Sequence, residues 1–302
     1  MNDTESPRRI PAEPLVYEFS RHLPPRTTIT PGQKLLVESE DALSGQISEP
    51  GDQRDKSVVP KSNPVNGPIV VEGSEAGDVL AVTIHRIDPW RPQCATYTGA
   101  PKQLCEWLGT DVPPGGHVCP IRDGVILWSD EISIPYAPML GCIGTAPEWG
   151  VPTTGPGGPH GGNMDILETA PGATVYLPVF VEGGYLFLGD AHAAMGHGEL
   201  SATGLEMSAV TEISVELHKN QPLSWPRIVT GTEIMTVTSG APAERSTARA
   251  YAELILWMEA DWGWDRWRAY DLLTHVGEIS VGYYDGGSIA AKIARKYLEC
   301  PS

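Results

Sequence analysis

Basic side chains are scarce in this chain. Lysine and arginine together number 21 against 38 aspartates and glutamates, a net charge of −17. That balance repels phosphate backbones and anionic headgroups, so neither nucleic acid nor a membrane surface is expected as a partner. Cysteine is scarcer still: Cys94, Cys105, Cys119, Cys142 and Cys300, an odd number with no C-x-x-C pair. A disulfide framework and a thiolate zinc site are therefore not expected, and a reducing compartment is. No apolar run approaches the roughly 18 residues of a membrane-spanning helix. The polar start, Met1 to Arg9, is followed by no apolar stretch of a secretory leader. A cytoplasmic location is the expectation. Two chemistries also lack their motifs. There is no G-x-S-x-G elbow, and the glycine run Gly155 to Gly162 has no Lys-Ser/Thr ending to cradle a phosphate.

Turn-forming residues are abundant instead. Gly 33 and Pro 28 make up about a fifth of the 302 residues, which with ordinary apolar content describes a turn-rich globular chain with room for a sizeable core. Residues 1–14 read as a loosely held polar tail. From 15 to 241 the pattern is of short strands between Gly/Pro turns, a sandwich or barrel-like body. Leu80, Val82 and Ile84 share a face, as do Val175, Leu177, Val179 and Val181, with Glu182-Gly183-Gly184 read as a hairpin turn. Ile213, Val215 and Leu217 alternate with polar neighbours. Over 242–302 the period changes. Tyr251, Leu254, Ile255 and Met258 form a helical stripe with Ser246 or Thr247 available as N-cap. Ala269, Leu272, Leu273 and Val276 form a second, stopped by Gly277, and a third short helix is predicted over Ser288 to Leu298. The fold class expected is α+β, predominantly β, with a helical segment near the C-terminus.

Two polar clusters stand out against this background. One is His160-Gly161-Gly162-Asn163-Met164-Asp165; the other runs from Gly189-Asp190-Ala191-His192 through His197 to Glu199. Imidazole and carboxylate set among glycines suit a zinc, iron or manganese site, or an acid/base site. Each cluster also reads as an ordinary polar turn. Between them lies the apolar stretch Ala173 to Leu188, read as one or two strands able to return the chain near its starting point. Glu199 and Glu148 are the carboxylates placed to act as general base. Asn163 with the amides of Gly161 and Gly162 could receive an oxyanion, and His197 lines the rim. Cys142, in the apolar Met139–Gly144 run, is read as a buried thiol rather than a nucleophile.

These motifs together resemble the acetamidase/formamidase family. The resemblance begins at Asn63-Pro64-Val65-Asn66-Gly67-Pro68 and Val71-Glu72-Gly73-Ser74-Glu75-Ala76-Gly77-Asp78. It continues through Gly141-Cys142-Ile143-Gly144-Thr145-Ala146-Pro147, His160 to Asp165, and Leu177 to Gly183 leading into Gly189-Asp190-Ala191-His192-Ala193. The resemblance implies a β-rich, homo-oligomeric, metal-assisted hydrolase of small amides that releases ammonia. The family's acidic and histidine positions fall on His160, Asp165, Asp190, His192 and Glu199. The reading therefore takes Asp165 and His192, with Asp190 or His160, as ligands of a divalent metal, zinc first, and a small-molecule amide as substrate. Where family members carry glutamine and aspartate, this chain has Met195 and His197. That departure keeps two alternatives open: hydrolysis of a bulkier amide, lactam or carbamate, or a non-catalytic member retaining a structural metal.

Overall fold

The computed structural model describes residues 6–98, 102–113 and 115–298. Within them the chain forms two large sheets that share one apolar core. The nine-stranded sheet runs in the order Arg8–Ile10, Lys34–Ser39, Ala209–His218, Val79–Pro89, Thr174–Pro178, Arg227–Val229, Glu233–Thr238, Ile289–Ala294, Glu278–Val281. The second sheet is built around Met139–Thr145 and Leu186–His192. It extends one way through Gly161–Asn163 to Gly157–Gly158, and the other through Glu206–Met207, Gln93–Tyr97, Gly116–Arg122 and Val125–Leu127 to Ser133–Pro135. Val65–Val71 adds to Leu186–His192 from the side.

The apolar alternation places the core. Leu80, Val82, Ile84, Val175, Leu177, Ile213 and Val215 are all buried, while Glu216 stays exposed. Strands with one apolar face bury it at roughly 25 cal/mol per Å², which fixes their register against the opposite sheet. The helical stripes also appear, in Ala243–Trp262 and Arg266–Val276, the second ended at Gly277. The first helix starts earlier than its expected cap. Pro242 stands at its N-cap position, and Ser246 instead donates its hydroxyl to the Gly240 carbonyl.

Three expectations are corrected. The tail is shorter than residues 1–14: residues 1–5 lie outside the described residues, while Arg8–Ile10 pairs in parallel with Leu35–Val37 and buries Ile10. The third helix does not form. Ile289–Ala294 is a strand between Glu233–Thr238 and Glu278–Val281, followed by a single 3-10 turn at Arg295–Tyr297. Its short apolar run carries no period that separates strand from helix. Finally, Glu182-Gly183-Gly184 does not close a hairpin. Thr174–Pro178 pairs in the nine-stranded sheet and Leu186–His192 in the other, so the turn carries the chain across the core.

Candidate active site

The two polar clusters meet because one strand lies between them. Met139–Thr145 is flanked by Leu186–His192 on one side and Gly161–Asn163 on the other, so that Cys142 stands opposite both Gly189 and Asn163. Just beyond Asn163, the amides of Met164 and Asp165 both donate to the Gly141 carbonyl, at 2.9 and 3.2 Å. Asp165 and Asp190 thereby approach Gly141 together. A Cβ at Gly141 would lie 2.5 Å from Asp190 Oδ2 and 2.6 Å from Asp165 Oδ1. Only a residue without a side chain lets two carboxylates close in this way.

The backbone is bent to aim these acids. Asp165, Asp190 and Glu199 have φ of 53, 57 and 45°, three of the nine non-glycine residues in the left-handed region among those described. Such conformations cost of order 1–3 kcal/mol each and cluster where function demands a particular aim. Glu199 is pinned by its neighbours: its amide donates to Gly196, and that of Gly198 to Val281. Glu206 enters from a fourth segment, directly across the ladder from His192. The donor atoms of Asp165, His192 and Glu199 lie within 4.8 Å of one another, as do those of Asp190, His192 and Glu206, so His192 joins two acidic groups. All five side chains are buried.

Four buried carboxylates against one imidazole are electrostatically unbalanced. Burial, with Asp190 adding its charge, pushes Asp165 up to about 8; burial and the charge of Asp165 push Glu199 up to about 10. Burial and Asp190 raise Glu206 as well. Burial alone would lower His192, but Glu206 and Asp190 override it and hold the imidazole well above its ordinary value. The hydrogen bonding is unbalanced too. Both carboxylate oxygens of Asp165, Asp190 Oδ1, Glu206 Oε2 and both ring nitrogens of His192 are buried without a partner. Glu206 Oε2 lies 3.2 Å and Asp190 Oδ1 3.6 Å from His192 Nε2, contacts without hydrogen-bond geometry. Orphaned buried groups of this kind are costly. A divalent cation fits the deficit, because imidazole nitrogen and carboxylate oxygen are its donors.

Other expected site residues are placed differently. Asn163 is buried beside the cluster, and its Oδ1 accepts from the Cys142 thiol at 2.9 Å, leaving the NH2 end free to donate. Burial first, and then the negative charges of Asp190 and Asp165, push the Cys142 thiol well up; this is a structural donor, not a nucleophile. Gly161 and Gly162 lie in a strand paired on both sides, so their amides serve the ladder rather than an oxyanion. His160 is buried edge-on to Phe19, 5.0 Å between rings, outside both acidic groups; burial lowers it to about 4 and keeps it neutral. Glu148 is exposed. Thr145 pairs with Leu186, at the opposite end of the strand from Met139 and His192, so the chain leaves the site before reaching Glu148. His197 is exposed and lines a cleft of about 550 Å³ that Glu199 and Gly204 also line. Gly204 in turn packs on His192, a Cβ there falling 2.6 Å from Nδ1.

Sequence reasoning missed Glu206. Its one signal is a carboxylate inside the apolar run Leu205 to Val210, where a strand would bury it.

The family model described as the Acetamidase/Formamidase family matches residues 3–154 and 148–278. An acetamidase from Yersinia enterocolitica has a solved structure that superposes with a TM-score of 0.91 at 33% identity, covering 98% of this chain and 95% of that one. The acetamidase of Mycolicibacterium smegmatis is 26% identical over 261 residues, 65% of this chain and 64% of that protein. The formamidase of Methylophilus methylotrophus is 26% identical over 255 residues, 66% of this chain and 62% of that protein. The chain thus spans a little over three fifths of the length of the curated relatives it matches. Among the described residues no helix is long and apolar enough to cross a membrane. With the family model matching nearly its whole length, the chain belongs to the acetamidase/formamidase family.

Proposed function

We propose that the chain hydrolyses the C–N bond of primary amides, R–CO–NH2, to a carboxylate and ammonia. One observation carries this reading: a dense set of unpartnered buried donors opens, at Glu199, onto a cleft. The names of the relatives, acetamidase and formamidase, support it.

Asp165, Asp190, His192 and Glu206 would hold a divalent cation, zinc first. When bound, the cation supplies Lewis acidity toward the amide carbonyl and an acidified water near neutral pH. Glu199 is the cluster's carboxylate that lines the cleft, so it faces the substrate. With the neighbouring negative charge that helps raise it offset by a bound cation, Glu199 is ionised. It then takes a proton from the attacking water and delivers it to the departing nitrogen, a role worth about 10²–10⁴-fold in rate. Water oxygen bonds to the carbonyl carbon, the C–N bond breaks, and ammonia leaves with the transferred proton. The free NH2 of Asn163, turned by the Cys142 thiol on its oxygen, donates to the carbonyl oxygen as negative charge develops there.

Ammonia release from a panel of primary amides tests this. The wild-type chain is expected to turn over at least one of them, and Glu199→Gln to lose about 10²–10⁴-fold in kcat with its fold intact. A full rate in Glu199→Gln, or no ammonia from any amide, overturns the proposal.

A further inference from the structure

We infer that the preferred substrate carries an apolar acyl group larger than methyl, a branched-alkyl or aryl carboxamide. This rests on the amide hydrolysis proposed above and adds which amide. The cleft in front of Glu199 has a volume of about 550 Å³. That lies in the range of roughly 300–1,000 Å³ found for sites that enclose drug-sized ligands. Acetamide has four heavy atoms and would fill only a small part of it, since even a water takes a share of roughly 30 Å³.

The walls say what fills the remainder. Trp128, Ile134, Met195, Leu200 and Leu205 give an apolar lining. Three of the polar side chains in the lining are already occupied: Thr96 and Thr203 hydroxyls bond each other at 2.9 Å, Thr203 bonds the Tyr97 carbonyl, and Ser201 bonds the Thr203 carbonyl, which leaves Glu199 and His197 as the others. Among the described residues no lysine or arginine lines the cleft and His197 is its one basic side chain, so a neutral acyl chain fits it better than an anionic one. At the mouth, Trp128 and Leu200 keep 38% and 64% of their surface in solvent, apolar area that a bound hydrocarbon would cover. Trp128 is braced from behind by His117, 5.4 Å between ring centroids. The bulk belongs on the acyl side, because ammonia release leaves the nitrogen unsubstituted. Met195 and His197 both line this cleft.

The test compares kcat/KM for benzamide, isobutyramide and acetamide in the wild-type chain, Trp128→Ala and Met195→Gln. Trp267→Ala, on an exposed helical position, serves as the control. A hydrophobic pocket discriminates by about 10–200-fold per methylene, so at least a tenfold preference for the larger amides is expected. That ratio is expected to fall in both cleft variants and not in Trp267→Ala. Equal or better use of acetamide overturns this inference while leaving amide hydrolysis standing. A preference unchanged in both cleft variants removes the assignment to this cleft. No turnover of any amide overturns the proposed function, and this inference with it.

Discussion

Replacing Gly141 by alanine would test the site's geometry with a single methyl group. Gly141 does not have a positive φ, so alanine meets no backbone strain, and any effect comes from contact. The contact is severe: the new Cβ would lie 2.5 Å from Asp190 Oδ2 and 2.6 Å from Asp165 Oδ1. Both carboxylates are fully buried and their backbones are tied into ladders or turns, so neither swings away freely. Overpacking of this kind costs about 1–3 kcal/mol. For 302 residues at about 2.1 cal/mol/K of unfolding entropy each, the melting temperature drops by about 2–5 °C. Pushing two candidate ligands apart should also weaken cation affinity, by at least the 10–100-fold seen when ligand positioning is disturbed. Gly231→Ala is the control, since nothing lies within 4 Å of its Cβ and its φ is not positive; it should shift stability by less than about 0.5 kcal/mol. Calorimetry of both variants, with and without added zinc, reads the two effects. Unchanged melting and unchanged zinc response in Gly141→Ala would refute the account of how the clusters meet.

Cation affinity should rise with pH. Burial first, and then the charge of Asp190, holds the Asp165 carboxyl near 8 in the cation-free chain, so a proton must leave as the ion enters. Affinity is expected to climb up to about tenfold per pH unit for each proton released between pH 6 and 8, read by calorimetric titration; a flat profile contradicts this. Asp41 gives a second pH effect, on stability. Burial and the charge of Glu40 raise it from 3.8 to about 7, so the folded chain binds the proton more tightly than the unfolded one. Stability from this group is full below about pH 4, falls as pH rises toward 7 and is flat above. Asp41→Asn should remove that slope and gain up to about 4 kcal/mol at pH 8, measured by urea unfolding. Cys142→Ala should destabilise the fold by about 1–3 kcal/mol, by leaving the buried Asn163 oxygen without its donor. Iodoacetamide should leave the wild-type activity untouched, because the thiol is fully buried.

The sequence disclosed side chains whose chemistry is written locally. Gly189-Asp190-Ala191-His192 and Asn163-Met164-Asp165 could be read as site segments because glycine beside acid and imidazole is wasteful in a core, and both reach the cluster, the first as the end of a strand rather than a loop. Period-two apolar patterns marked three adjacent strands of the nine-stranded sheet, Val79–Pro89, Thr174–Pro178 and Ala209–His218, and the stripe through Leu254 and Met258 marked a helix that buries both. Long-range pairing stayed hidden. Nothing local distinguishes the turn at Glu182–Gly184 as a crossing between sheets rather than a hairpin, because its glycines take positive φ either way. Glu206 was hard to read for the same reason: beyond being a carboxylate among apolar neighbours, it matters only because its two-residue strand pairs with His192. Glu148 attracted notice by its position in sequence, yet a strand of seven residues carries the chain away from Gly141 before reaching it. Gly161 and Gly162 looked like oxyanion donors until pairing on both sides committed them to the ladder.

The account turns on the buried cluster around His192 binding a divalent cation. Elemental analysis of the purified chain after equilibrium dialysis against zinc at pH 7.5, beside His192→Ala and Glu206→Gln, measures this directly. The wild-type chain should retain zinc at a fixed stoichiometry and both variants should lose most of it. No retained zinc in the wild type, or equal retention in all three, would contradict the claim.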